Sequence, residues 1–110
     1  MKQYTNESQT AKLIELGFEK PKSVSHCKMD LDMQIIPYRD YSIGELIEML
    51  PDVVELEDSG EYATLQMYFD LFNWIIEYTG VEKTGYATSA IELIDALYDM
   101  ILKLKEEGVI

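Results

Sequence analysis

One nine-residue pattern occurs twice in this chain and predicts where two of its helices begin. SIGELIEML occupies Ser42–Leu50 and SAIELIDAL occupies Ser89–Leu97, so both fit S-x-x-E-L-I-[ED]-x-L. In each, the serine hydroxyl can accept the amide three residues on, while the glutamate there reaches back to the serine amide. The pattern therefore predicts a short helix ended by Pro51 and a second helix that continues to about Glu107.

A third helix is predicted near the N-terminus. Asn6 and Gln9 have the spacing of a helix start, and Gly17 can end the helix. One side of this segment is apolar, through Ala11, Leu13, Ile14 and Leu16. A shorter echo of the pattern, KLIEL, lies here, but the three copies follow no constant period, so a solenoid is not expected.

Three other regions read as extended. Met29–Ile35 alternates apolar and acidic or amide side chains, which predicts a half-buried strand ended by Pro37. Val53–Glu57 is a short β-branched run before the turn at residues 58–60. Glu61–Tyr78 has two interpretations. Aromatic and β-branched residues favour a hairpin around residues 70–73, and an apolar spacing of three to four residues would also suit a helix.

The predicted fold is α+β. A small antiparallel sheet of three to four strands packs against a long C-terminal helix, with two shorter helices, and residues 1–110 form one domain. The C-terminal helix is apolar over more than half its circumference, which is wider than a surface helix needs. Together with the sheet aromatics, it supplies the interface candidates: Tyr62, Tyr68, Trp74, Tyr78, Ile91, Tyr98 and Leu102.

Charge and composition argue against several classes of function. The net charge is −12, with 9 basic residues and no basic cluster, so neither nucleic acid nor an anionic membrane surface is an expected partner. No apolar run approaches the roughly 20 residues of a membrane span, and the N-terminus has no signal-peptide pattern. A single cysteine fits a reducing compartment, and a cytoplasmic location is expected.

Catalytic groups are scarce. The only histidine, His26, precedes the only cysteine, Cys27, and adjacent residues point in different directions, so neither a zinc site nor a nucleophile–base pair is predicted. Asp30 and Asp32 are weak candidates for a divalent metal, and they equally suit the wet face of a strand. We expect no enzyme activity and no cofactor.

Three segments carry a family resemblance: YSIGELIEMLP, WIIEY and ELIDALYDMILKLKEEG. They resemble small uncharacterised proteins of gut-bacterial (Bacteroides-type) genomes, phages and prophages. The resemblance implies a small cytoplasmic accessory protein from a mobile element, and it favours a strand at Trp74–Tyr78. Because the group has no assigned activity, it carries no functional residue over to this chain.

The leading functional hypothesis is a non-catalytic protein that self-associates or binds another protein. Two alternatives remain open. The acidic charge suits a nucleic-acid mimic that blocks a DNA-binding protein. Asp30 and Asp32 suit a small-ligand or divalent-metal site.

Overall fold

A computed structural model describes residues 1–57, 59–82 and 84–110. Within those residues, three helices and six strands follow one another along the chain. In order they are α1 (Glu7–Glu15), β1 (Val24–Met29), β2 (Ile35–Arg39), α2 (Ile43–Met49), β3 (Val53–Glu55), β4 (Tyr62–Asp70), β5 (Asn73–Thr79), β6 (Thr84–Ala90) and α3 (Leu93–Glu106).

The larger sheet is antiparallel and has the order β3-β4-β5-β6, so every neighbour in the sheet is a neighbour in sequence. This confirms the α+β class and the hairpin interpretation of Glu61–Tyr78. The β4–β5 ladder runs from Thr64↔Thr79 to Asp70↔Asn73. The two-residue turn contains no glycine, and Leu71 itself takes a φ of 53°. Strand β6 was not predicted, and it forms the edge of the sheet beside β5.

The core lies mainly between this sheet and α3, and Leu46 of α2 and Leu13 of α1 complete it. Ile76 and Tyr78 on β5 are fully buried, and α3 packs against β5 and β6. The Tyr78 hydroxyl donates to the Pro51 carbonyl at 2.7 Å, which satisfies its one polar group. Helix α3 buries seven of its residues: Leu93, Ile94, Ala96, Leu97, Met100, Ile101 and Leu104.

The predicted strand at Met29–Ile35 is wrong, because this segment is the turn of a separate hairpin. Strands β1 and β2 pair on either side of it, with Met29↔Ile35 as the last pair. The Asp30 carboxylate accepts the amides of Asp32 and Gln34 at 2.9 and 2.8 Å, an arrangement that suits a tight turn. Pro37, expected to end a strand, pairs with Cys27 inside β2, and both strands of a two-stranded sheet are edges.

Two of the three predicted helix starts are confirmed. Asn6 with Gln9 and Ser42 with Glu45 each form a complete capping box. The third is wrong, because Ser89 lies in β6, paired with Ile75, and α3 begins only at Leu93. The run TGYATSA before it consists of small, β-branched and aromatic residues that suit a strand, and β5 supplies the partner.

The short third strand ends earlier than the sequence indicated. Strand β3 covers Val53–Glu55 rather than Val53–Glu57, and it pairs with residues 62–64 of β4. Asp58, part of the predicted turn, lies outside the described residues. Gly60 of the same turn has a φ of 68°, where a side chain would be strained. Helix α3 has 14 residues, close to the average length of a helix, so it is not the long helix that was expected.

Candidate interaction surface

The seven predicted interface residues do not form one surface. Tyr78 lies wholly inside the core, whereas Trp74, Tyr98 and Leu102 are half-buried. The three exposed ones are Tyr62, Tyr68 and Ile91. A position on a strand of the core sheet therefore does not decide whether an aromatic side chain is buried or exposed.

The end of the β4–β5 hairpin carries an exposed apolar group that we call the hairpin-end patch. Its members are Met67, Phe69, Leu71, Phe72 and Ile91, which expose 40, 56, 81, 79 and 76% of their surface. Half-buried Trp74 borders the patch, with its ring centroid 5.5 Å from that of Phe69. Because Trp74 pairs with Ala90, Ile91 follows at the same end of the sheet.

The patch exists because the helices cover the sheet unevenly. Helix α3 packs against β5 and β6, and it leaves the outer half of β4 with little cover. Ile76 on β5 is therefore fully buried, while Met67, its direct partner on β4, is 40% exposed. The sequence predicted Trp74 and Ile91 as interface residues but not the other members of the patch. The reason is that apolar alternation looks the same in the half of a strand that a helix covers and in the half that it leaves exposed.

The edge of β4 beside the patch is also open. Strand β3 pairs with only the first three residues of β4, and the Leu65 amide donates to the Asp52 carbonyl at 3.0 Å. Among the residues that the structure describes, Gln66–Asp70 has no strand on this side. An unpaired edge presents backbone donors and acceptors that can pair with another strand.

The opposite face of the sheet has a different character. Tyr62 and Tyr68 project there, beside Thr64, Gln66 and Glu77. Partial burial, the charge of Glu77 and a hydrogen bond with Glu77 raise the pKa of Tyr68. Half-buried Ile75 pairs with Tyr68 on this face, so polar, aromatic and apolar side chains are mixed there.

The metal candidates do not assemble. Asp30 uses one carboxylate oxygen on the two turn amides, and in the described ranges no three His, Cys, Asp or Glu side chains come close enough to hold a metal. Asp32 is exposed at the tip of the β1–β2 hairpin. The positions of Asp30 and Asp32 therefore follow from the hairpin turn and not from a shared ligand.

His26 and Cys27 are separated, as expected of neighbours in a strand. Cys27 is exposed, and the His26 ring stacks on Tyr38 with centroids 4.8 Å apart. His26 Nδ1 lies 3.0 Å from the hydroxyl of Ser25, which in turn donates to Asp40 at 2.6 Å. The serine stands between histidine and aspartate, whereas a catalytic triad needs the histidine in the middle.

No helix in the described part of the chain is long and apolar enough to cross a membrane. The chain was also compared with protein families, curated proteins and solved structures. No family model, no curated protein and no solved structure matches it.

Proposed function

We propose that this chain is a non-catalytic cytoplasmic accessory protein that acts as a homodimer joined through the hairpin-end patch. The exposed apolar side chains at the end of the β4–β5 hairpin carry the proposal. The resemblance of three segments to phage and prophage proteins supports an origin in a mobile element.

The size of the patch supports association. With about 200 Å² for each large side chain, the exposed fractions of the five members leave roughly 660 Å² of apolar surface open. That is slightly above the largest patch of a typical monomeric protein, which is about 300–600 Å². A standard interface buries about 800 Å² on each partner, so the patch and the bordering edge of β4 together approach that area.

The edge of β4 favours a second copy as the partner. Two identical antiparallel edges can pair about a two-fold axis, because each strand then offers the other the same donors and acceptors. Pairing of Gln66–Asp70 with its symmetry mate would bring the two patches to the same axis. A single two-fold dimer interface would thus cover both the unpaired backbone of β4 and the exposed apolar side chains.

Charge distinguishes a second copy from a foreign partner. The patch itself contains no ionisable side chain, although the whole chain carries −12. Two copies repel each other at long range, and salt screens this repulsion over a Debye length of about 8 Å at physiological ionic strength. Self-association should therefore strengthen as salt rises, whereas binding of a basic protein should weaken.

Sedimentation velocity over a range of concentration and salt tests the proposal. We expect a monomer–dimer equilibrium that salt shifts toward the dimer. Phe72→Glu should abolish the dimer, because it places a charge in an apolar interface. Leu31→Glu is the matched control: Leu31 is fully exposed at the other hairpin tip, and the substitution adds the same charge. A strict monomer, or equal loss in both variants, would contradict the proposal.

A further inference from the structure

A second feature, independent of the patch, is a cleft of about 640 Å³ between α1, the N-terminal segment and the β1–β2 hairpin. Its volume lies within the range of about 300–1,000 Å³ usual for small-molecule sites. None of the hairpin-end patch residues lines it.

A β-bulge shapes the floor of this cleft. The β1–β2 register shifts between Val24 and His26, so Ser25 is an extra residue on β1. Such bulges re-aim side chains and recur beside functional sites. Here Ser25 and His26 both line the cleft, and Ser25 Oγ lies 3.0 Å from His26 Nδ1.

Two short chains of hydrogen bonds beneath the cleft end at the same carboxylate, that of Asp40. Asp40 is 8% exposed and accepts from the hydroxyls of Thr10 and Ser25. Since Thr10 gives its only proton to Asp40, the 2.7 Å contact between Thr5 and Thr10 has Thr5 as donor. By the same count, His26 Nδ1–H donates to Ser25, which leaves Nε2 for other partners.

The cleft has one apolar wall on α1 and one aromatic wall on the hairpin. One wall is the α1 face that contains Ala11 and Ile14, and Ile14 is 37% exposed. The other is the hairpin face, where the rings of His26 and Tyr38 are nearly parallel, 3° apart in plane. Such walls suit a flat apolar body, because it removes apolar surface on both sides from water.

Positive charge gathers at the cleft in an otherwise acidic chain. Lys2, Lys28 and Arg39 line it, which is three of the 9 basic residues. Lys2 is paired with Asp95 at 2.9 Å, whereas Lys28 Nζ lies 5.2 Å from the Tyr38 ring centroid and has no carboxylate partner among the described residues. The two lining acids are Glu7 and Asp40, and Asp40 keeps its charge but lies buried beneath the cleft, so neither forms an ion pair with Lys28 or Arg39 in the part of the chain described.

We propose that this cleft binds a small aromatic anion, a planar ring that carries a carboxylate or phosphate group. The ring packs between the α1 face and the hairpin face, and the anionic group lies beside Lys28 and Arg39. Binding requires the cleft alone and is separate from the proposed homodimer.

The single histidine provides a direct reporter. Its Cε1 proton gives one NMR resonance, which we would follow while adding phenyl phosphate, inorganic phosphate or phenol in parallel. Phenyl phosphate should produce a saturable shift with a dissociation constant on the order of 1 mM, the range expected for so small a ligand. Phosphate and phenol should each bind at least about tenfold more weakly, since each lacks one recognised part.

Four variants make the test specific. Lys28→Gln should weaken phenyl phosphate binding by about fivefold or more, whereas Lys20→Gln, an exposed lysine outside the cleft, should leave it unchanged. Ala11→Phe fills the cleft from the exposed side of α1 and should block binding while the far-ultraviolet circular dichroism stays native. Phe72→Glu should retain binding, which separates this proposal from the dimer.

Several results would overturn the proposal. Phosphate or phenol binding as tightly as phenyl phosphate would show that ring and charge are not recognised together. Equal affinities for Lys28→Gln and Lys20→Gln would remove the anion site. Unchanged binding in a folded Ala11→Phe variant would place the ligand elsewhere, and a linear, unsaturable shift would mean that there is no site.

Discussion

The two hairpins are both rich in apolar residues, yet they have opposite relations to the rest of the molecule. The β4–β5 hairpin has strand neighbours on both sides over part of its length, and its inner half is buried by α3. The β1–β2 hairpin forms a sheet of its own, and apart from half-buried Ser25 every residue of its two strands is exposed. An isolated two-stranded hairpin is marginal in water, so the β1–β2 hairpin depends on its polar ties to α1 and α2.

This contrast shows what a sequence pattern leaves undetermined. Alternation of apolar and polar residues indicates that a segment is extended, but whether its apolar side chains are buried depends on which helix packs against it. Ile76 and Ile35 are both strand isoleucines, and one is fully buried while the other is 69% exposed. The exposed end of the β4–β5 hairpin lies between these extremes, since its strands belong to the core sheet but extend past the helix.

The largest expected effect comes from truncating the buried member of that pair. Ile76→Ala should lower the free energy of unfolding by about 2–5 kcal/mol, because it opens a cavity beneath α3. Ile35→Ala, the matched change in the exposed hairpin, should cost under about 0.5 kcal/mol. Urea denaturation measures both, and similar losses at the two sites would mean that the hairpins are equally integrated.

The next effect concerns the polar tie between the β1–β2 hairpin and α1. Asp40→Ala removes the acceptor for Thr10 and Ser25, leaving two hydroxyls to find other partners, and should cost about 1–3 kcal/mol. Asp32→Ala, at the exposed hairpin tip, should change stability by less than about 0.5 kcal/mol. Thermal unfolding checks both variants, and a neutral Asp40→Ala would show that the hairpin is held by something else.

Helix capping gives a smaller contrast between the two serines of the repeated pattern. Ser42→Ala should cost about 1 kcal/mol, because Ser42 accepts the Glu45 amide at 3.2 Å. Ser89→Ala should stay within about 0.5 kcal/mol, since Ser89 is an exposed strand residue and caps nothing. Equal losses in chemical denaturation would restore Ser89 as a helix start.

The smallest effect is a pH dependence centred on Glu45. Burial raises the pKa of its carboxyl, but hydrogen bonds from Ser23, Lys22 and Ser42 outweigh burial and hold the pKa below its ordinary 4.5. The folded state therefore binds this proton less readily than the unfolded chain. The resulting stability is present above about pH 4.5 and is lost as pH falls through the lower, folded-state value.

Glu45→Gln tests that assignment. Its stability should fall less steeply than that of the parent between about pH 5 and pH 3, because the ionising group is gone. Asp99 provides an opposing control, since burial and the nearby charge of Asp95 raise the pKa of its carboxyl. Asp99→Asn should steepen the acid loss, and an unchanged profile in Glu45→Gln would contradict the role given to Glu45.

Local signals in the sequence predicted much of the fold. Two capping boxes, the glycine-ended α1 and the bend between Asp70 and Asn73 are each specified within a few residues. The failures are non-local. Met29–Ile35 alternates like a strand, yet the Asp30 side chain organises a turn, and Ser89 has a cap-like sequence but pairs with β5.

The candidate surfaces were harder to predict for the same reason. The hairpin-end patch depends on how far α3 reaches across the sheet, and no residue of β4 encodes that by itself. The cleft depends on a bulge at Ser25 and on contacts between residues some 30 positions apart, such as Thr10 and Asp40. Its residues are ordinary polar, apolar and aromatic types in sequence, and only folding brings them together.

Hydrogen–deuterium exchange at low and high protein concentration tests the central claim, that the end of the β4–β5 hairpin is covered by a second copy. The account predicts that the amides of Met67 and Phe69, which point to the open edge as the Leu65 amide points to β3, become more protected as concentration rises, while amides of β1 and β2 do not change. Phe72→Glu should remove this dependence. Exchange at Met67 and Phe69 that is independent of concentration would contradict the account.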